Sequence, residues 1–415
     1  TNGENDSSVP HYHVDLNHDH LPSYEIPNSM CLLDHYDHLL MFFECQIEKC
    51  GHFPVPLFDV IVIIMTLATV SGHYKEHILR NNDPYNIPRQ PLNKRALKIL
   101  GFYVKSIKCF DTTKYNTYNL ELLRCQFFIV IDQLFSKDII GSPYRSYISC
   151  LEQKDSVLSN ELIVPKLNRD GEFLNMILWT LSNSLQDDPA LYTSSHDVWM
   201  PLLDIIIDLI ELRHDYFMVN EIKERNDKIK WVESLSRSPL ARLMRSIDST
   251  KQFMDRFCEH IFIMCSGKSN SRISERVPIH PMYVGENLLS KTFVPRVRYT
   301  KDYKLKKSFE MQRKILRAYF KLLLDIPDGH KLESPIANFE DMVYRISKFL
   351  AGLDDVEQLK TFFFSGVTQS LHVIPSIAQG TLCQIFSNFL EQSSNKNMSI
   401  PELNLVERLD DADSF

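Results

Sequence analysis

Apolar residues recur every three or four positions in one stretch after another of this 415-residue chain, and that repeat limits the possible folds more than any motif does. In NSMCLLDHYDHLLMFFECQIEK, which opens at Asn28, the residues Leu33, Tyr36, Leu40, Phe43 and Ile47 share one helical face behind cap candidates Asn28 and Ser29. Similar stretches run from Leu57 to Ser71, Leu92 to Phe110, Thr117 to Phe135, Gly171 to Gln186 and Ser195 to Phe217. Further ones cover Ser249 to Cys265, Lys304 to Leu324, Ile336 to Leu350 and Ser376 to Glu391. Ser142-Pro143 and Ser238-Pro239 read as an N-cap followed by proline at the first helical position, where the missing N–H costs nothing. Only 12 glycines in so long a chain argue against Gly-rich phosphate loops and tight β-hairpins. The expected fold is all-α: an irregular, HEAT-like helical stack without a fixed internal period, with little or no strand.

Along the chain, residues 1–27 are polar, acidic and proline-punctuated and read as a disordered arm. A helical domain is expected over 28–265 and a helical region over 303–395, with an acidic tail over 396–415. Between them, 266–302 carries Pro278, Pro281 and Pro295, too long a stretch for a passive connector. Within it, TFVPRVRY has the composition of a short edge strand. Nine cysteines without a C-x-x-C, mostly in apolar helical stretches, read as buried thiols of a reducing compartment.

Val60 to Val70 is an uncharged, predominantly apolar run of 11 residues between Asp59 and Ser71-Gly72, whereas a membrane span needs about 20. A core helix is the better reading, and no membrane association is expected. Directly after it, His73-Tyr74-Lys75-Glu76-His77 fits H-x-x-E-H, in which one helix turn offers two histidines to zinc and the glutamate acts as base. Nothing marks a third ligand, so histidines following a helix C-terminus are favoured, and no metal or cofactor is expected. Cys45 and Cys50 cannot share an ion with those histidines, because the intervening helix of about 14 residues separates the pairs by roughly 20 Å. Gly267-Lys268-Ser269 resembles the end of a phosphate-binding loop, but Phe262 stands where its first glycine belongs and a helical stretch precedes it.

Two stretches carry candidate binding chemistry. Lys291 to Lys321 holds eleven Lys or Arg against Asp302 and Glu310. On the helix opening near Lys304, Lys307, Lys314 and Lys321 repeat every seven residues beside Arg313 and Arg317, opposite Leu305, Phe309, Leu316, Phe320 and Leu323. Lys304, Lys306, Lys307, Arg313, Lys314, Arg317 and Lys321 therefore form a basic outer stripe, a candidate contact for DNA or an acidic partner. Leu202 to Glu211, LLDIIIDLIE, has the aliphatic-plus-acidic pattern by which an extended peptide adds a strand to SUMO. The same residues continue a helix from Ser195, which favours a core role.

Longer words resemble one family: LELLRCQFFIVID, PYRSYISCLEQ, GEFLNMILWTLSNSLQ, SSHDVWMPLLDIIIDL, HPMYVGEN and FKLLLDIPDGH. With NSMCLLDHYDHLLMFFECQ and ILRNNDPYN they are similar, in preserved order from Asn28 to Leu382, to the fungal Nse-five family, the fifth non-SMC element of the Smc five-six complex. The joint between Phe135 and Ser142 is shorter than the family pattern, and the family's C-terminal helical portion is not found after Glu391. The resemblance implies an all-helical, non-catalytic subunit in obligate heterodimer with the sixth non-SMC element. It also implies contact with the Smc heads and neighbouring non-SMC subunits, restraint of ATP turnover, loading onto chromatin, and a link to SUMO ligation and its pathway components. The implied setting is nuclear and chromosome-associated, in DNA repair and recombination, with DNA reached through the complex. Two other classes stay open: a metal-dependent hydrolase using HYKEH, and a direct DNA-binding module using the basic helix near residue 310.

Overall fold

In the computed structural model the central rod is helix α3, Phe58–Leu67, and its sequence FDVIVIIMTL explains why. Every residue from Asp59 to Leu67 is buried, so the helix has no solvent face and must sit inside a larger array. Each Val or Ile so buried contributes about 1.5–3 kcal/mol relative to exposure. The structure describes residues 12, 14–18, 21–49, 54–70, 90–135, 158, 162–169, 172–184, 193–222, 227–247, 303–332, 339–351, 356–364 and 373–395. Among these, fourteen α-helices and no strand are found, in agreement with the all-α expectation.

Around α3 pack α1 (Leu21–Leu32), α4 (Leu92–Cys109), α5 (Thr117–Phe135) and α6 (Ile163–Leu167), while α2 (Tyr36–Lys49) lies on α1 and α4. Polar side chains tie the rod to its neighbours. The Phe58 N–H at the start of α3 donates to Gln126 Oε1 of α5 at 2.9 Å, capping an end that has no side-chain cap of its own. Thr66 Oγ1 donates to Val62 O at 2.7 Å and accepts from the Ile163 N–H at 3.1 Å, so α3 caps α6. Buried Arg95 of α4 holds α2 through Asp37 and through Glu44 at 2.7 Å.

Next come α7 (Glu172–Asn183), a π-helical turn Thr193–Trp199, and the 21-residue α8 (Met200–Asn220). Trp179 and Trp199 are fully buried where α7 meets that turn. Helix α8 touches α4, α5, α7, α10 (Pro239–Ile247) and α11 (Tyr303–Leu324), and α9 (Lys228–Leu235) lies at the surface with Leu235 alone buried. Ser238-Pro239 behaves as its spacing predicts: α10 starts at Pro239, and Ser238 Oγ accepts from the Ala241 N–H at 3.3 Å. Helices α12 (Phe339–Ala351), α13 (Val356–Phe364) and α14 (Val373–Asn395) complete the described array.

One expectation needs correction. The single helix expected from Asn28 through Lys49 is two helices, because Asp34 adopts a left-handed φ of 56°. The Asp34 N–H donates to Cys31 O at 3.1 Å and the His35 N–H to Met30 O at 2.9 Å, which is a Schellman stop. Leu33, expected on the buried face, is exposed as a result. Near the N-terminus, α1 begins at Leu21, and Tyr12 is buried with its ring 5.7 Å from that of Phe128. The few aromatic residues there, Tyr12 and Tyr24, find apolar surface that the surrounding polar composition conceals. Helix α11 packs on α8 and α10, and one apolar cluster extends from Tyr24 to Ile377. HYKEH, Gly267-Lys268-Ser269, Ser142-Pro143, the 266–302 loop with TFVPRVRY, the 249–265 helix and the 396–415 tail lie outside the described residues.

Candidate interaction surfaces

The acidic face of α8 and the basic face of α11 meet each other. Asp204, Asp208, Glu211 and Asp215 are spaced by four, three and four residues, which places them along one side of a helix. Opposite them stand Lys314, Arg317 and Lys321, spaced by three and four. Lys314 Nζ lies 2.5 Å from Asp204 and 2.7 Å from Asp208, Arg317 donates to Glu211 from Nη2 at 3.1 Å to both carboxylate oxygens and from Nε at 3.2 Å, and Lys321 reaches Asp215 at 2.5 Å. Both numberings rise together, so the two helices run parallel with their charges in register. Lys108 of α4 joins the same ladder through Asp208.

The stripe predicted to face outward therefore faces inward over part of its length, and Lys314 is only 11% exposed. Arg313 is half-buried, and burial lowers its pKa against the opposing pull of Glu310. Lys304, Lys306 and Lys307 belong to the first turns of α11, but their side chains lie outside the described residues. In LLDIIIDLIE the aliphatic residues Leu202, Leu203, Ile206, Ile207, Leu209 and Ile210 are buried and the acids are ion-paired, so this stretch is a core helix. Over Lys314, Arg317 and Lys321, the two motifs are each other's partner.

A second network fixes the N-terminal segment. Arg213 of α8 pairs with Asp132 of α5 at 3.2 Å and with Glu221 at 2.6 Å, and its guanidinium lies 4.6 Å from the Tyr12 ring. Tyr12 donates its hydroxyl to Asp132 at 2.6 Å. Burial, Asp132 and the hydrogen bond to it all push the phenol pKa far above its ordinary value. Burial lowers the Arg213 pKa, but Asp132 and Glu221 outweigh it and hold the guanidinium charged. This network is structural.

Sequence reasoning did not single out the outer face of α14. Its inner face rests on α12 through buried Ile377 and Thr381, and Gly380 allows the close approach, since a Cβ there would stand 2.5 Å from Ser347 Oγ. Beyond that contact Leu382, Ile385, Phe386, Phe389 and Leu390 are exposed, Leu382 at 56% and Phe386 at 51%. Their spacing of three, one, three and one forms a continuous helical stripe. Glu391 is the only charged residue between Val373 and Asn395, a composition unlike that of an ordinary solvated helix, and it is the signal that marks this face. Among the described residues no group of three or more His, Cys, Asp and Glu side chains is arranged to hold a metal, and no helix is long and apolar enough to cross a membrane.

Comparison with known proteins adds identity to this geometry. The family model described as Nse5, DNA repair proteins Nse5 and Nse6, matches residues 1–139 and 139–411. The protein named Non-structural maintenance of chromosome element 5 of Saccharomyces cerevisiae (strain ATCC 204508 / S288c) is 43% identical over 439 aligned residues, which cover 98% of this chain and 77% of that protein.

Proposed function

The chain belongs to the Nse5 family of DNA repair proteins, and on that premise we propose that it is a non-catalytic regulatory and scaffold subunit of the Smc five-six complex. In this reading it pairs with the sixth non-SMC element, engages the Smc heads and neighbouring non-SMC subunits, restrains their ATP turnover and promotes loading onto chromatin in the nucleus. The link to SUMO ligation belongs to the same reading. The observation that carries it is the end-to-end similarity, 43% identity across 98% of the chain.

The outer face of α14 supports a role built on surface complementarity. Leucine and phenylalanine side chains contribute about 1.5–3 kcal/mol each on full burial, so a stripe of them is costly to leave in water. Because the face is nearly free of charge, the complementary surface is an apolar, uncharged helix face, and we assign it to the sister subunit. Co-expression of the full chain with that subunit, followed by ATPase measurement on the Smc pair, tests the function. Stable co-purification and a lowered rate are expected, and a chain that neither co-purifies nor alters the rate overturns it. The double variant Leu382→Glu with Phe386→Glu tests the surface separately: pairing should be lost while the isolated chain keeps its helicity and urea midpoint. Pairing as strong as wild type would leave the function standing and remove α14 from it. The hydrolase reading is separated by elemental analysis, since it requires about one zinc per chain.

A further inference from the structure

Lys314, Arg317 and Lys321 of α11 are consumed by α8, whereas Lys228 of α9, Arg237 of the following turn, and Arg242 and Arg245 of α10 are not. Residues 228–247, KIKWVESLSRSPLARLMRSI, carry Lys228, Lys230, Arg237, Arg242 and Arg245 against Glu233 alone, in a chain whose net charge is -7. Local structure leaves Lys228, Lys230, Arg237 and Arg245 exposed and Arg242 half-buried. Helix α10 buries Leu240, Ala241, Leu243 and Met244, which leaves Arg242 and Arg245, three residues apart, on the opposite side. Arg237 is exposed in the turn between the helices, and Lys228 is exposed on the first turn of α9. Arg245 donates to Ser236 O, which holds its guanidinium over that turn, next to Arg237. Asp227, directly before Lys228, is engaged as the cap of α9, accepting from the Ile229 and Lys230 N–H groups at 3.1 and 3.3 Å. Among the described residues no carboxylate pairs with Lys228, Arg237, Arg242 or Arg245.

We propose that this ridge of α9 and α10 is a binding surface for the phosphate backbone of duplex DNA. Nucleic acid is favoured over an acidic protein because the ridge lacks an apolar centre: Trp231 and Val232 pack against the core, and Ile229 is its only exposed large apolar side chain among the described residues. Long, unpaired side chains around a turn suit contact with successive phosphates, which gives affinity without sequence preference. The inference does not depend on the pairing assigned to α14.

Fluorescence anisotropy of the full chain with a labelled duplex of about 30 base pairs, between about 50 and 200 mM salt, tests it. The triple variant Arg237→Glu, Arg242→Glu, Arg245→Glu should bind at least about tenfold more weakly at low salt, with a log–log salt slope shallower by about 3. The neutral set Arg237→Gln, Arg242→Gln, Arg245→Gln should show the same direction, which keeps the test valid if triple reversal disturbs folding. Unchanged affinity and slope in the neutral set overturns the proposal. So does a wild-type chain that fails to bind the duplex at low salt, or one that binds a polyglutamate peptide more tightly than the duplex.

Discussion

Lys314 of α11 lies 2.7 Å from Asp208 of α8, with both side chains largely out of water, at 11% and 14% exposure. The same carboxylate also receives Lys108 of α4, so one acid joins three helices, two of them about a hundred residues or more from the third in sequence. The α8–α11 ladder explains why a chain with an evident basic stripe and an evident acidic-aliphatic motif need not use either to reach a partner. It also fixes register, since sliding the parallel helices by one turn would place Lys314 against the wrong acids.

Removing Lys314 should therefore cost stability. Lys314→Met strips Asp208 and Asp204 of their main cation, and with Lys108 still present the expected loss is about 2 kcal/mol, below the 3–5 of an isolated buried pair. Lys321→Ala, whose pair with Asp215 is more exposed, should cost less than about 1 kcal/mol. Urea midpoints of the two variants check the ordering, and equal costs would mean that burial does not govern this ladder.

Acidity should reveal the same site. Burial alone would raise the Asp208 carboxyl, but Lys314 and Lys108 outweigh it and hold it below the ordinary carboxylate range. A group whose pKa is lower folded than unfolded contributes stability above its unfolded value, near pH 4, and that contribution is lost as pH falls through the folded value. Asp208→Asn should be less stable than wild type near neutral pH, with the gap closing as pH falls below about 4. Denaturation midpoints across pH measure this, and a constant gap would contradict it.

How much of this was readable in the sequence depends on which force decides each element. Helix α3, α4 and α8 were legible because apolar periodicity and burial act in the same direction, as in VIVIIM and LLDIIIDLI. The stop at Asp34 was not, since a left-handed aspartate depends on backbone hydrogen bonds to Met30 and Cys31 and leaves the three-four spacing intact. The basic stripe was legible as a pattern but not as an orientation. Whether Lys314 faces water or Asp204 depends on a contact across 110 residues, and local sequence carries no signal for it. The α14 stripe lay within an expected helix, and only its lack of charge set it apart.

Arg213 should be the costliest single charge to remove. Arg213→Met leaves Asp132, Glu221 and the Tyr12 ring without their shared cation, for an expected loss of about 3–5 kcal/mol. Tyr12→Phe deletes one hydroxyl donor and should cost about 1 kcal/mol. Tyr12→Ala also removes the edge-to-face contact with Phe128 and should speed protease cleavage before residue 21 without shifting the global midpoint by as much as Arg213→Met. Limited proteolysis beside urea denaturation separates these effects.

The last prediction concerns a hydroxyl at the centre of the array. Thr66 is fully buried, and its Oγ1 serves two helices at once, donating to Val62 O within α3 and accepting from the Ile163 N–H that opens α6. Thr66→Val keeps shape and volume but removes the acceptor, so the Ile163 N–H is left without a partner in an apolar interior, at a cost of about 1–3 kcal/mol. Thr66→Ser keeps the acceptor and loses one methyl group, for about 1 kcal/mol from the small void. If capping of α6 dominates, the valine variant is the less stable of the two although it is the more apolar. Amide exchange at Ile163 should then accelerate in Thr66→Val and stay slow in Thr66→Ser. The reverse order would mean that α3 holds α6 by packing alone.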